Sequence, residues 1–250
     1  TANDPEGKGG VIEITTDQIN IDTEVEINTN AVTLDDGGSI SISTSGGRIF
    51  SSETIGLLNL HAKGNLGGNI SISSAADLDL SGTSDSSSIG SDNGGTITFI
   101  SVEEMSLTNY SMIANGGSAG DGGTIAIDYR GENEIAVKDL SATAGSENGG
   151  MITITNSGSK DLNLNVKGVI DTSAESDEEY NGTFTLGVSD TETNAIQLFF
   201  DEGSDFRSLL IAEGSAVNVT SIPPLNLGIS TIEAAVGDIV ICNDGSTTCS

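Results

Sequence analysis

The chain has 250 residues, with 37 acidic against 8 basic side chains, a net charge of −29 and no tryptophan. Cations so few and so scattered argue against nucleic acid, whose phosphates need Lys and Arg contacts, and against binding to anionic membrane surfaces. Membrane insertion is not expected either, because the apolar runs Ile196–Phe200 and Leu209–Ala212 are too short to span a bilayer.

Ser, Thr, Asn, Asp and Gly dominate the composition, which with this charge would suggest disorder. A periodic apolar column argues otherwise. After a polar lead-in, residues 1–8, one phrase recurs: a glycine pair, then alternating polar and Ile-rich positions. It reads Gly9-Gly10-Val11-Ile12-Glu13-Ile14 first and Gly37-Gly38-Ser39-Ile40-Ser41-Ile42 next. Further copies start at Gly67, Gly94, Gly122 and Gly149, and a worn copy starts at Asn181; successive starts lie 27 to 32 residues apart. A period of this size marks stacked repeats. Gly-Gly reads as a corner, and the four residues after it as a strand with every second side chain inward.

Each repeat has room for two more strands. After the phrase come Leu78-Asp79-Leu80, Met105-Ser106-Leu107, Ile135-Ala136-Val137 and Leu162-Asn163-Leu164. A third apolar group often precedes the next glycine pair: Ile89, Met112-Ile113 and Val169-Ile170. Long Ser/Gly turns are expected between them, as at residues 82–88. The pattern predicts an all-β fold, a parallel β-helix of about six to seven coils over residues 9–186. Residues 187–224, rich in Leu and Phe, read as irregular last coils or a cap. Pro223-Pro224 should break strand pairing. Residues 225–250 read as a tail with strands at Leu225–Leu227 and Ile239–Ile241, a short helical turn near Glu233-Ala234-Ala235, and a segment able to add to a neighbour's open edge. No amphipathic helix precedes the first coil, so its strand edge should be open. That fits a fragment of a longer solenoid or a subunit stacking end to end.

Candidate chemistry sits at the corners. Asp35, Asp36, Asp92, Asp121 and Glu147, with Glu178-Glu179 further on, precede glycine pairs and should fall along one edge of the stack. Carboxylates ~5 Å apart repel unless solvated, protonated or bridged, so Ca²⁺ is a motivated ligand, though not a required cofactor. Turn preference alone also places Asp and Asn there. An outward Ser/Thr column could form a hydroxyl ladder of the ice-binding kind, but Glu13, Ala126 and Met151 interrupt it. A polysaccharide-cleaving site would need paired carboxylates with aromatic platforms and basic residues, and Tyr110, Tyr129, Tyr180, Arg48, Arg130 and Arg207 do not cluster in sequence. His61 reads as a surface or turn residue. No enzyme is expected. Cys242 and Cys249 flank a turn-like hexapeptide, which fits a disulfide and an oxidising compartment.

The stretch Asp92-Asn93-Gly94-Gly95-Thr96-Ile97-Thr98, followed by Met105-Ser106-Leu107-Thr108-Asn109-Tyr110-Ser111-Met112-Ile113-Ala114, resembles the repeats of filamentous-haemagglutinin-like exoproteins. The resemblance covers roughly residues 9–186. It implies right-handed parallel β-helices secreted by bacteria and acting in adhesion, surface layers or biofilm. The family's amino-terminal secretion domain is not recognisable here. The expected protein is therefore an extracellular or cell-surface structural protein whose main partner is itself, as a homo-oligomer or filament. A monomeric module for surface glycans or ice is the alternative.

Overall fold

The computed structural model describes residues 7–31, 35–51, 56–174, 182–222 and 225–243, and these are all-β, with no helix. The first repeat supplies β1 (Val11–Thr16), β2 (Ile19–Ile21) and β3 (Val25–Asn28). The second supplies β4 (Ser39–Thr44), β5 (Ile49–Ser51) and β6 (Leu58–His61). In the next two repeats the second and third strands fuse: β7 (Asn69–Ser74) leads to β8 (Leu78–Asp85), and β9 (Thr96–Ser101) to β10 (Met105–Ile113). Three strands return in β11 (Thr124–Tyr129), β12 (Ile135–Val137) and β13 (Leu140–Ser141). The pattern continues through β14 (Met151–Asn156), β15 (Leu162–Val166) and β16 (Val169–Asp171), then β17 (Thr183–Val188), β18 (Ile196–Phe200) and β19 (Asp205–Arg207). Two strands per turn follow: β20 (Leu209–Gly214) with β21 (Val217–Ser221), and β22 (Gly228–Ala234) with β23 (Ile239–Cys242).

Among the described residues every strand pair is parallel and joins a strand to its counterpart one repeat away. The phrase strands make a nine-stranded sheet in the order β1-β4-β7-β9-β11-β14-β17-β20-β22. The remaining strands make two columns that merge at β8 and β10 into one 14-stranded sheet. The first of these columns runs from β2 to β23 and the second from β3 to β19. This stacking is compatible with a solenoid, and the expected parallel, repeat-registered sheets are present. The phrase marks seven of the nine strands in the first sheet; β20 and β22 extend it without a glycine pair.

The register carries the apolar columns inward. Ile40, Ile70, Ile97, Ile125, Ile152, Phe184 and Leu210 follow one another across adjacent strands, all buried. So do Ile42, Ile72, Phe99, Ile127, Ile154, Leu186 and Ala212. Each such aliphatic side chain contributes ~1.5–3 kcal/mol when fully buried. Leu and Val of the second sheet face them, and Phe200 and Phe206 meet edge to face at 5.3 Å.

The glycine pairs have a more specific cause than corner flexibility. Neither glycine of any pair has positive φ; among the described residues only Gly7, Gly82 and Gly203 do. What the pairs provide is close approach. A Cβ on Gly95 would lie 2.1 Å from the Gly68 carbonyl oxygen, and one on Gly123 would lie 2.2 Å from that of Gly95. The second glycine also donates its N–H across the coil, Gly95 to Ser86 O at 2.9 Å and Gly123 to Ala114 O at 2.7 Å. The accepting positions Thr29, Ala62, Ser86, Ala114, Ala142 and Thr172 are small and fully buried.

Several local expectations are corrected. Glu233-Ala234 lies in β22, not in a helical turn, because it pairs in register with Glu213-Gly214 of β20. The 82–88 stretch is not all turn. Gly82 to Asp85 form strand, with Gly82 at φ +132° and so close to the Leu58 backbone that a Cβ would lie 2.3 Å from its carbonyl oxygen. Ile89 is not inside the stack; it is exposed, and β8 supplies that repeat's inward positions. Leu225–Leu227 is not a strand, although Leu225 and Leu227 pack on the core and the Asn243 side chain accepts from Leu225 N at 2.8 Å. His61 ends β6 rather than sitting in a turn. Residues 187–222 continue both sheets as β18 to β21. Pro223-Pro224, the acidic loop 175–179 and Cys249 lie outside the described residues.

Candidate functional site

The hydrogen bonds seen at the corner residues run to amide side chains and backbone groups of neighbouring repeats. Asn65 Nδ2 donates to Asp92 Oδ2 at 2.5 Å, across one repeat. Asp121 N donates to Asn93 Oδ1 at 2.9 Å, and Asn148 donates to Asp121 Oδ1 through its backbone N at 2.9 Å and its Nδ2 at 3.1 Å. Amide donors thus sit between acids on successive coils, so the column alternates acid with amide. Asp35 is partly buried, its backbone carbonyl accepting from Asn65 N at 2.7 Å, and the Asp36 carbonyl accepts from Gly9 N at 3.0 Å. Glu147 is exposed. Among the described residues no three His, Cys, Asp or Glu side chains come close enough to hold a metal ion.

A second corner, after the first strand of each repeat, was not foreseen. Ser74 Oγ donates to Asp77 O at 2.8 Å, and Ser101 Oγ to Ala76 O at 2.7 Å and Glu104 O at 3.0 Å. Asn156 Nδ2 donates to Gly131 O at 3.2 Å and Asp161 O at 2.9 Å. All three side chains are fully buried. They occupy the sixth position of the strand, where the alternation points inward but the interior is a turn lined by carbonyls. Alternation alone predicts an apolar residue there. Tyr129 stands in the same column, and burial pushes its hydroxyl up to about 12. Tyr110 is also buried, with its hydroxyl 2.8 Å from Ser84 Oγ, and burial raises its pKa well above the usual range.

Beside this corner is a shallow groove of about 280 Å³ lined by Arg48, Phe50, Asp79, Glu104 and Glu134. The Arg48 guanidinium lies 4.7 Å from the Phe50 ring centroid, so the ring offers no open face on that side. Glu104 accepts from the backbone N of Glu132 at 3.0 Å and of Asn133 at 3.3 Å, as a brace for the next turn. The outward face of the first sheet brings Ser39, Ser41 and Ser43 into register with Asn69, Ser71 and Ser73.

The two ends differ from the middle. At the first coil Val11 is 74% and Ile14 36% exposed, and an apolar pit of about 180 Å³ opens between Ile14, Ile19, Val25, Ile27 and Leu58. At the last coil Ile229 is 48%, Ile239 47% and Ile241 42% exposed. The pairing partners of these three, Leu210, Val217 and Val219, are buried core residues, so Ile229, Ile239 and Ile241 belong to inward columns. They are exposed because no described residue stacks on them. Cys242, which follows Ile241, is buried.

No helix among the described residues is long and apolar enough to cross a membrane. Comparison with protein families, curated proteins and solved structures finds no match for this chain.

Proposed function

We propose that the parallel stack closes into a right-handed β-helix, with the six to seven repeat-marked coils extended by two more. The protein is then a non-enzymatic, secreted structural or adhesive component that assembles with itself at the cell surface or in an extracellular matrix. The observation supporting this reading is that, among the described residues, no strand pairs beyond the first and last coils, and inward-column isoleucines are exposed there. Water is a poor neighbour for such a surface, and an open strand edge is a template for another strand. The high negative charge supports solubility of the sides and leaves the ends as the adhesive parts. Calcium is not required by this reading.

Sedimentation velocity over a hundredfold concentration range tests it. Growing assemblies with unchanged β-sheet circular dichroism support the reading, and a single monomer boundary throughout removes it. The in-register hydroxyl and amide face of the first sheet supports one alternative, a monomeric binding module for glycan or ice. Binding on a glycan array, or thermal hysteresis, by protein that stays monomeric would favour that alternative.

A further inference from the structure

We infer that Asn93 and Asn115 are latent deamidation sites, locked while the coils are stacked and released when a coil opens. The inference stands apart from self-assembly and concerns covalent modification of the corners. Both residues precede glycine. In Asn-Gly the side-chain amide is open to attack by the next backbone nitrogen, because glycine has no side chain to shield it. In the reaction Gly94 N bonds to Asn93 Cγ, the Cγ–Nδ2 bond breaks, and the amide nitrogen leaves as ammonia with the glycine's proton. Water then opens the cyclic imide at either carbonyl, leaving aspartate or isoaspartate. Asn115 and Gly116 react in the same way, and no oxidant or reductant is needed.

The stack holds both reacting groups of each pair. Asn93 Oδ1 accepts from Asp121 N at 2.9 Å, while Gly94 N donates to Asp121 O at 3.0 Å. Asn115 Oδ1 accepts from Thr143 N at 2.9 Å, while Gly116 N donates to Thr143 O at 2.8 Å. In each case one residue, 28 positions on in the chain, clamps the amide and the attacking nitrogen with its own N–H and carbonyl. Asp121 and Gly122 are clamped by Asn148 in the same pattern, at 2.9 and 3.0 Å. Attack requires Gly94 N to give up its bond and swing onto Cγ, which pulls against both halves of the clamp. Burial does not supply this protection, since Asn93 is exposed. Asn148-Gly149 is set aside, because its counterpart one repeat on, Asn181, lies outside the described residues.

Modification works against closing the coil again. Isoaspartate inserts an extra carbon into the backbone beside Gly94, where even a Cβ would lie 2.1 Å from Ala114 O. Either product adds a carboxylate next to Asp92 and against Asp121.

The test incubates the full chain at mildly alkaline pH, folded and in guanidinium chloride, and maps its peptides by mass spectrometry over time. Asn109, which precedes Tyr110, is the slow internal reference. Asn93 and Asn115 should convert to aspartate and isoaspartate readily in the unfolded chain. In folded protein they should convert at least about tenfold more slowly, because the chemistry is confined to a rare opened state. Conversion of exposed Asn93 slowed by less than about tenfold on folding would overturn the clamp. Unfolded chain in which neither residue outpaces Asn109 would overturn the assignment of the sites. Gly123→Ala, whose added Cβ would press on Gly94 C at 2.8 Å, should speed conversion of Asn93 in protein that still folds by circular dichroism. An unchanged rate in that folded variant would count against the clamp, and if the variant does not fold, the wild-type comparison decides alone.

Discussion

Replacing Gly123 by alanine tests the physical reason for the glycine pairs. The added Cβ would sit 2.2 Å from Gly95 O, 2.6 Å from Ala114 O and 2.8 Å from Gly94 C, all backbone atoms of packed coils. No side chain can swing away, so the coils must separate. Two hydrogen bonds span this point, Gly123 N to Ala114 O at 2.7 Å and Thr124 N to Gly95 O at 2.9 Å. Leaving buried partners unsatisfied costs about 1–3 kcal/mol for each bond. Restricting the unfolded chain returns only about 0.4–1 kcal/mol. The expected loss is therefore about 1–6 kcal/mol. Gly187→Ala is the control, since its Cβ would meet only the Thr155 side chain at 3.4 Å, an ordinary contact. It should be neutral or stabilising by up to about 1 kcal/mol. Urea denaturation followed by circular dichroism measures both. Equal midpoints for the two variants would refute the close-approach account.

Ile125→Ala should cost about 2–5 kcal/mol, whereas the outward neighbour Thr124→Ala should stay within about 0.5 kcal/mol in the same assay. Asn156→Ala removes donors to two turn carbonyls and should cost about 1–3 kcal/mol, read from the urea midpoint. Tyr129 has its folded pKa raised from about 10 to about 12, so its contribution is fully present below pH 10 and is lost as pH rises toward 12. Stability should fall by about 1.4 kcal/mol per pH unit in that window from this group, and Tyr129→Phe should remove that share of the slope. Thermal melts with added calcium and with chelator address the corners. Because amides already answer Asp92 and Asp121, we expect no shift, and a rise of several degrees with calcium would assign a cation to that edge.

The period and the inward Ile columns were readable from the sequence because they are enforced at every coil, and both depend only on side-chain alternation. The glycine pairs were readable as corners, but their cause was not. Crowding by Gly68 O or Gly95 O arises between residues one repeat apart, and no local pattern displays it. The buried Ser74, Ser101 and Asn156 escaped for a related reason: their partners are turn carbonyls, which every sequence has. Pairing to β20 overrode the helical preference of Glu233-Ala234. The acidic corner was predicted as a column of charge, and the structure adds the alternating amides Asn65, Asn93 and Asn148, visible in the sequence but meaningful only in register. The exposed isoleucines of the last described coil read as ordinary core in sequence, because their exposure depends on which residues stack on them.

Fibre diffraction from wild-type protein concentrated in 1 M NaCl tests end-to-end assembly most directly. Strands lying across a filament built by stacking coils predict a meridional reflection near ~4.8 Å, along the fibre axis. Aligned fibres without that meridional spacing, or protein that forms no fibres under these conditions, would contradict it.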